Sequence, residues 1–277
     1  MASIRASLFK IPIHIILIIY SIISIFPFYY VVITTFKSRD EFYTNVYAPP
    51  KNWTLEGVIT LYKDYGFGRA TLNSVIVTFL SILITLIIAT LAAYAYSKMK
   101  FIARGFLLSL TVALLGVPVM IVIIPVYVLM SKVNLLDSYI GVSLVYTAFN
   151  LPFYIFLLTS FFRAIPQALL DAGRIDGCNR FELLRKIIIP LSKPVYATLI
   201  VISTIWVWNE LLIAMMFLRK DDMHTITVAL SRIVGRYSMH PELIQAGALF
   251  VALPMIILFL AGRKYFIQGL LSGALKE

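Results

Sequence analysis

The chain has 277 residues, 61% of them hydrophobic and 13% charged. Soluble domains run at roughly 45–50% apolar and about 25% charged, so this composition excludes a water-soluble enzyme and a disordered protein. The net charge is +11, from 24 Lys+Arg against 13 Asp+Glu, which in so apolar a chain points to basic loops beside a membrane rather than to nucleic acid.

A helix needs about 20 apolar residues to cross a bilayer, and stretches at about 13–36, 71–96, 105–130, 139–162, 195–217 and 243–262 qualify. The first begins near His14. Its apolar run is too long for a signal peptide and no A-x-A site follows, so it is expected to remain as an uncleaved transmembrane helix. Pro27, Pro118, Pro125, Pro152 and Pro254 fall inside these stretches, and each removes a backbone donor and tends to kink its helix. Ala89/Ala93 and Ala248/Ala252 place small residues at i, i+4 spacing, which permits close helix packing. Glu210, in the fifth stretch, is the one acidic or basic residue within all six.

Six crossings put both termini on one side, with 97–104 and 163–194. The density of Lys98, Lys100 and Arg104 makes that side the cytoplasm. No loop is long enough to be a separate domain. The expected fold is therefore all-α: one polytopic membrane domain over 1–277, with six transmembrane helices and two substantial loops, 37–70 and 163–194. Trp53 in the former is expected to anchor at the interface. The lone Cys178 excludes an intramolecular disulfide, and His14, His224 and His240 lie too far apart in sequence to form a metal cluster by spacing.

The loop 163–194 carries the most information. Pro166 suits the first turn of a helix, and Ala168, Leu169, Ala172 and Ile175 line one face of it. Gly177 can take the left-handed conformation that ends a helix. Asn179, with Glu182 three residues on, resembles a capping box for a second helix, whose apolar face is Phe181, Leu184 and Ile188. Pro190 ends it. The result is a cytoplasmic helix–turn–helix with two small residues, Ala172 and Gly173, along its first helix. By periodicity alone it could equally be an amphipathic loop lying on the bilayer.

The run Asp171-Ala172-Gly173, with Ile175-Asp176-Gly177 and Pro190 after it, resembles the EAA loop of the membrane subunits of binding-protein-dependent ABC importers. Asp171 stands for the family's Glu and Gly173 for its second Ala. Further matches are similar to the second, MalG-like permease of the carbohydrate importers. These are Asn73-Ser74, Ala92-Ala93-Tyr94-Ala95, Pro118 with Pro125-Val126-Tyr127, Leu151-Pro152, Phe161 to Pro166, Trp208-Asn209-Glu210 and the tail from Gly269 to Lys276.

The resemblance implies a heterodimer with a second permease subunit, two ATPase subunits and an extracytoplasmic sugar-binding protein, in membrane lipid. It implies no cofactor on this chain, with ATP and Mg on the partner ATPase. In agreement, the sequence has no G-x-x-x-x-G-K-[ST] loop. Coupling to the ATPase falls to Asp171, Ala172, Gly173, Asp176 and Gly177. Ala172 and Gly173 would allow close approach, and the acids could pair with basic groups of the ATPase. The charged outer loop 218–242 would dock the binding protein or simply be solvated.

Two polar stripes are candidates for the substrate path. Tyr146, Asn150 and Tyr154 recur at i, i+4, i+8, and Trp206, Asn209 and Glu210 share a face at i, i+3, i+4. Aromatic rings can cover a sugar's C–H face while Asn and Glu bond its hydroxyls. Packing between helices is the other use of both stripes. Rival classes fit less well. A secondary transporter needs coupling carboxylates and only Glu210 qualifies, and an intramembrane enzyme needs a nucleophile and base or metal ligands at depth. A permease for another solute, such as a glycerophosphodiester, a peptide or an amino acid, would share the loop.

Overall fold

The computed structural model describes the backbone of residues 2–236 and 240–274, and the side chains of 12–234 and 240–262. The described residues form helices and turns without a strand. In chain order the helices are α1 (Ala2–Thr35), α2 (Arg39–Thr44), α3 (Glu56–Asp64), α4 (Phe67–Lys98), α5 (Arg104–Ala113), α6 (Val119–Lys132), α7 (Tyr139–Ala164), α8 (Gln167–Ile175) and α9 (Arg180–Leu183). They continue as α10 (Ile189–Leu191), α11 (Lys193–Asn209), α12 (Leu212–Phe217), α13 (Ile226–Arg236) and α14 (Pro241–Ala274). The chain divides into two compact units. One is Met1–Phe67 with Ala229–Leu253, the other Gly68–Val228 with Pro254–Glu277.

Among the described residues four helices are continuous, long and apolar enough to cross a membrane: Pro12–Thr35, Phe67–Lys98, Tyr139–Ala164 and Pro241–Gly262. The other two expected crossings are not straight helices. Arg104–Gly116 and Val119–Lys132 meet at 104°, and Arg180–Leu191 and Lys193–Asn209 at 74°. Counting each bent pair as one crossing restores six. The first break is at Pro118, which has no N–H to continue the ladder and forces Val117 into extended backbone (ψ 113°). Pro27, Pro125, Pro152 and Pro254 lie inside unbroken helices. The fifth expected stretch, 195–217, also stops early: α11 ends at Asn209 and α12 restarts at Leu212.

In the first unit, none of the most apolar part of α1 is buried by the rest of the chain, so in a bilayer it faces hydrocarbon or another subunit. Beyond it the chain is tied down by polar contacts. Buried Lys37 donates to the carbonyls of Asn45 and Val46. Ser38 caps α2 by accepting from the Glu41 N–H. The Glu41 carboxylate accepts from the Lys51 N–H and from Asn45, which holds its pKa below the ordinary value. Trp53 is largely exposed and its ring lies 5.6 Å from that of Phe36.

In the second unit, Ala89 and Ala93 are fully buried against Tyr154, Leu158, Phe162 and Leu199, so the expected small-residue packing is found there. Hydroxyls stitch α4 to α7. Thr85 and Thr147 are 3.1 Å apart, and Ser143 and Thr147 donate to the carbonyls of Val77 and Ser81. The turn before α7 passes through positive φ at Asn134 and Asp137. Gly141 follows it, and a Cβ there would stand 2.0 Å from the Leu135 carbonyl oxygen. Backbone cannot retreat as a side-chain tip can. Gly141→Ala is therefore expected to lower the melting temperature of the purified protein, at a cost of about 1–3 kcal/mol. Gly247→Ala, which meets only the side-chain ends of Leu230 and Phe67, should cost less. Equal melting curves for Gly141→Ala and the wild type would contradict this packing.

Candidate functional site

The loop 163–194 folds as a helix–turn–helix held by its own caps. α8 begins after Pro166 and ends at Asp176. Gly177 has φ +84°, its N–H donates to the Arg174 carbonyl, and the Cys178 N–H donates to the Gly173 carbonyl. This is the paired hydrogen-bond pattern of a Schellman C-cap, which a residue without Cβ enters most cheaply. Asn179 and Glu182 then form the expected capping box, with both bonds at 2.9 Å. Lys186 reaches back to Glu182 at 2.8 Å and, with the Asn179 N–H, holds that carboxyl below its ordinary pKa. A π-turn, Leu184–Ile188, carries the helix on to α10. At the loop's other end, Lys98 Nζ donates to the Ile165 carbonyl at 2.7 Å and ties α4 to the start of α8.

The loop's inner face is Leu170, Gly173, Leu183, Leu184 and Ile188, all buried. A Cβ on Gly173 would stand 2.7 Å from Ile187 Cδ1 and from Leu183 Cδ2. The small residue thus serves the approach of the loop's own two helices. Phe181, expected inward, is 64% exposed, and Leu183 takes its place. The face of Leu169, Ala172 and Ile175 exists as expected but is turned outward, with Ile175 87% exposed. Asp171 is paired within its own helix, accepting from Arg174 at 2.7 Å and Gln167 at 3.1 Å. Asp176 is exposed.

The second constellation surrounds Glu210. This residue is not on α11 but caps its C-terminus in extended backbone (φ −72°, ψ 131°), so it does not share a helical face with Trp206 and Asn209. Its carboxylate spans the break. Oε1 accepts from the Ile213 N–H at 2.9 Å and Oε2 from the Ala214 N–H at 3.1 Å, the otherwise orphan donors that open α12. Oε2 also accepts from the Tyr146 hydroxyl at 2.7 Å, and Tyr146 meets Trp206 edge-on at 5.7 Å. Tyr146, Trp206 and Glu210 are thus brought together. Asn150 donates to the Tyr146 carbonyl, and exposed Asn209 to that of Ile205. Buried Tyr154 donates to the Leu199 carbonyl and is spent on packing.

Two residues to which the sequence analysis gave no role in the site organise the outer loop. Asp137 accepts from the Arg219 N–H at 2.6 Å and from its guanidinium at 2.7 Å, while its own N–H donates to the Phe217 carbonyl. Asn73 holds the same loop, donating to the carbonyls of Asp222 and His224 and accepting from the Tyr139 hydroxyl at 2.6 Å. Asp222 pairs with Arg69. Much of the loop's charge is therefore committed within the chain. Arg236 lies outside the described side chains. Among the described residues no cluster of His, Cys, Asp or Glu could hold a metal ion.

Burial tends to raise the Asp137 carboxyl, but the Arg219 hydrogen bonds outweigh it and hold it below the ordinary value. A depressed carboxylate contributes stability that is present above its unfolded pKa and is lost as pH falls through the folded one. Asp137→Asn should lower the melting temperature at neutral pH, and its difference from the wild type should shrink as the medium is acidified below the carboxylate range. A difference that stayed constant with pH would contradict an ionic clamp.

The sequence matches the family of binding-protein-dependent transport system inner membrane components over residues 85–270, which include both constellations. It is 33% identical to the osmoprotective compounds uptake permease protein GgtD of Synechocystis sp., over 97% of this chain and 93% of that one. It is 30% identical to the melibiose/raffinose/stachyose import permease protein MelC of Bacillus subtilis, over 90% and 91%. The structure resembles a chain of a bacterial ABC transporter involved in the import of the acidic polysaccharide alginate. The TM-score is 0.83 at 26% identity, covering 95% of this chain and 98% of that one.

Proposed function

The chain belongs to the family of binding-protein-dependent transport system inner membrane components, and we propose that it is the permease through which an ATP-driven importer moves a sugar or oligosaccharide across a prokaryotic cell membrane. The observation that carries this reading is the loop 163–194. It is stiffened by its own caps, yet it turns apolar side chains, Ile175 and Phe181 above all, out to where a second protein can cover them. The sugar is supported by MelC and the alginate transporter. Another small polar solute is the second reading, favoured by the GgtD name.

In this account ATP and Mg bind two partner ATPase subunits, and this chain, which has no phosphate-binding loop, hydrolyses none. A second permease completes the membrane path, an extracytoplasmic binding protein delivers the sugar, and both termini are cytoplasmic. The ATPase moves α8, and the movement enters the membrane because Lys98 and the bent pair 180–209 join the loop to α4 and α11. Asp171, Ala172, Gly173, Asp176 and Gly177 are the coupling residues, by two routes. Ala172 and Asp176 meet the ATPase. Gly173, Gly177 and Asp171 keep the loop's shape, so that it moves as one piece.

Gly177→Pro places a ring that requires φ near about −65° where the chain has φ +84°. It should leave the complex assembled while ATP hydrolysis no longer drives uptake; normal uptake would sink the assignment. For the substrate path, Glu210→Gln and Asn150→Ala should raise the apparent KM for sugar in reconstituted vesicles, and Tyr154→Phe should not. Loss of assembly at Glu210→Gln, with KM unchanged at Asn150→Ala, would make that cluster packing alone.

A further inference from the structure

A cleft of about 510 Å³ opens between α5 and α7, at the end of the second unit from which the coupling loop departs. On α7 its wall is Phe156, Thr159, Ser160 and Arg163, one stripe at i, i+3, i+4, i+7 with the guanidinium at the loop end. On α5, Ser109 adds a further hydroxyl, and Leu108 and Val112 are its apolar lining. Along α7 the lining runs from charge at Arg163 through the hydroxyls of Ser160 and Thr159 to the ring of Phe156.

Two observations indicate an occupant. Thr159 is 2% exposed and its Oγ1 has no hydrogen-bond partner in the chain. Thr85, Thr111 and Thr204 turn the hydroxyl back to the carbonyl four residues before, whereas Thr159, like Thr78 on α4, does not. A buried hydroxyl without a partner costs about 1–3 kcal/mol, so an acceptor from outside the chain would repair it. The cleft is also one-signed. No acidic residue lines it, none occurs in 97–108 or 156–170, and Lys98 and Arg104 begin the adjoining segment.

We propose that this cleft holds one anionic phospholipid. Its phosphate lies on the Arg163 guanidinium with the Ser160 and Ser109 hydroxyls, an ester carbonyl accepts from Thr159 Oγ1, and one acyl chain runs over Phe156 and Val112. The planar fork of arginine matches two phosphate oxygens, and basic pockets between transmembrane helices take lipid headgroups in this way. A lipid held so splints α5 to α7 just before α7 hands over to α8.

The test uses the full complex, isolated through a tag on this chain, with native mass spectrometry in gentle detergent and melting curves in phosphatidylcholine nanodiscs. The wild type should retain phosphatidylglycerol and melt higher when that lipid is added. Arg163→Gln should lower the retained lipid about tenfold, as losing one charge-assisted contact implies, and abolish the shift. Val112→Trp fills the apolar end and leaves the arginine in place, and it should do the same. Lys132→Gln, at the far end of α6, should change neither. Equal retention in all four proteins would overturn the proposal. So would an equal rise in melting temperature with inorganic phosphate alone. Capture of the second permease by a cross-linker placed at Ser109→Cys, in a Cys178→Ser background, would assign the cleft to a protein partner and overturn it as well.

Discussion

A backbone N–H or C=O left unpaired in hydrocarbon costs several kcal/mol, and every irregularity of this chain at membrane depth is arranged around that cost. Proline at position 118 breaks one crossing where its missing donor leaves nothing to pair. The break after Asn209 is more demanding, because α12 must open with free amides. The Glu210 carboxylate supplies both acceptors for Ile213 and Ala214, and the Tyr146 hydroxyl binds the same group from α7. One ionisable side chain thus fixes a helix end, a neighbouring helix and an aromatic pair. This explains why so costly a residue stands within an otherwise uncharged stretch. It also stands at a point where the backbone is already interrupted, and interrupted helices are where transporters build solute sites.

The coupling loop answers the same constraint outside the membrane, and in the opposite sense. Its ends are closed by local caps at Gly177 and Asn179, so it needs no partner to hold its shape. Its inner face is filled by Leu170, Leu183 and Ile188 around Gly173, the contact that lets the two helices touch. What remains outside is apolar surface that water does not favour. A rigid body with an unsatisfied face can dock to a moving subunit and transmit its displacement without absorbing it.

Much of this was legible in the sequence because it is local. Apolar run length located the apolar helices, and caps, which involve neighbours three to five residues apart, located the helix–turn–helix. Other features were hidden because they are not local. The Asp137–Arg219 clamp joins residues 82 apart, and Asn73 reaches residues about 150 further on. A polar Asn in an apolar run and the Asn73-Ser74 match to the permease family marked it, but neither named its partners. Phe181 was assigned to one apolar face with Leu184 and Ile188, but it is 64% exposed, and Leu183 is buried beside them instead. Glu210 was placed on a helix by spacing that its own carboxylate ends.

The central claim is that α8 meets the ATPase, and contact at Ala172 tests it most directly. With Cys178→Ser as background, Ala172→Cys carrying a short photo-cross-linker in native membranes should capture an ATPase subunit, and the captured complex should no longer transport. Capture of the binding protein, or of lipid alone, would contradict the account.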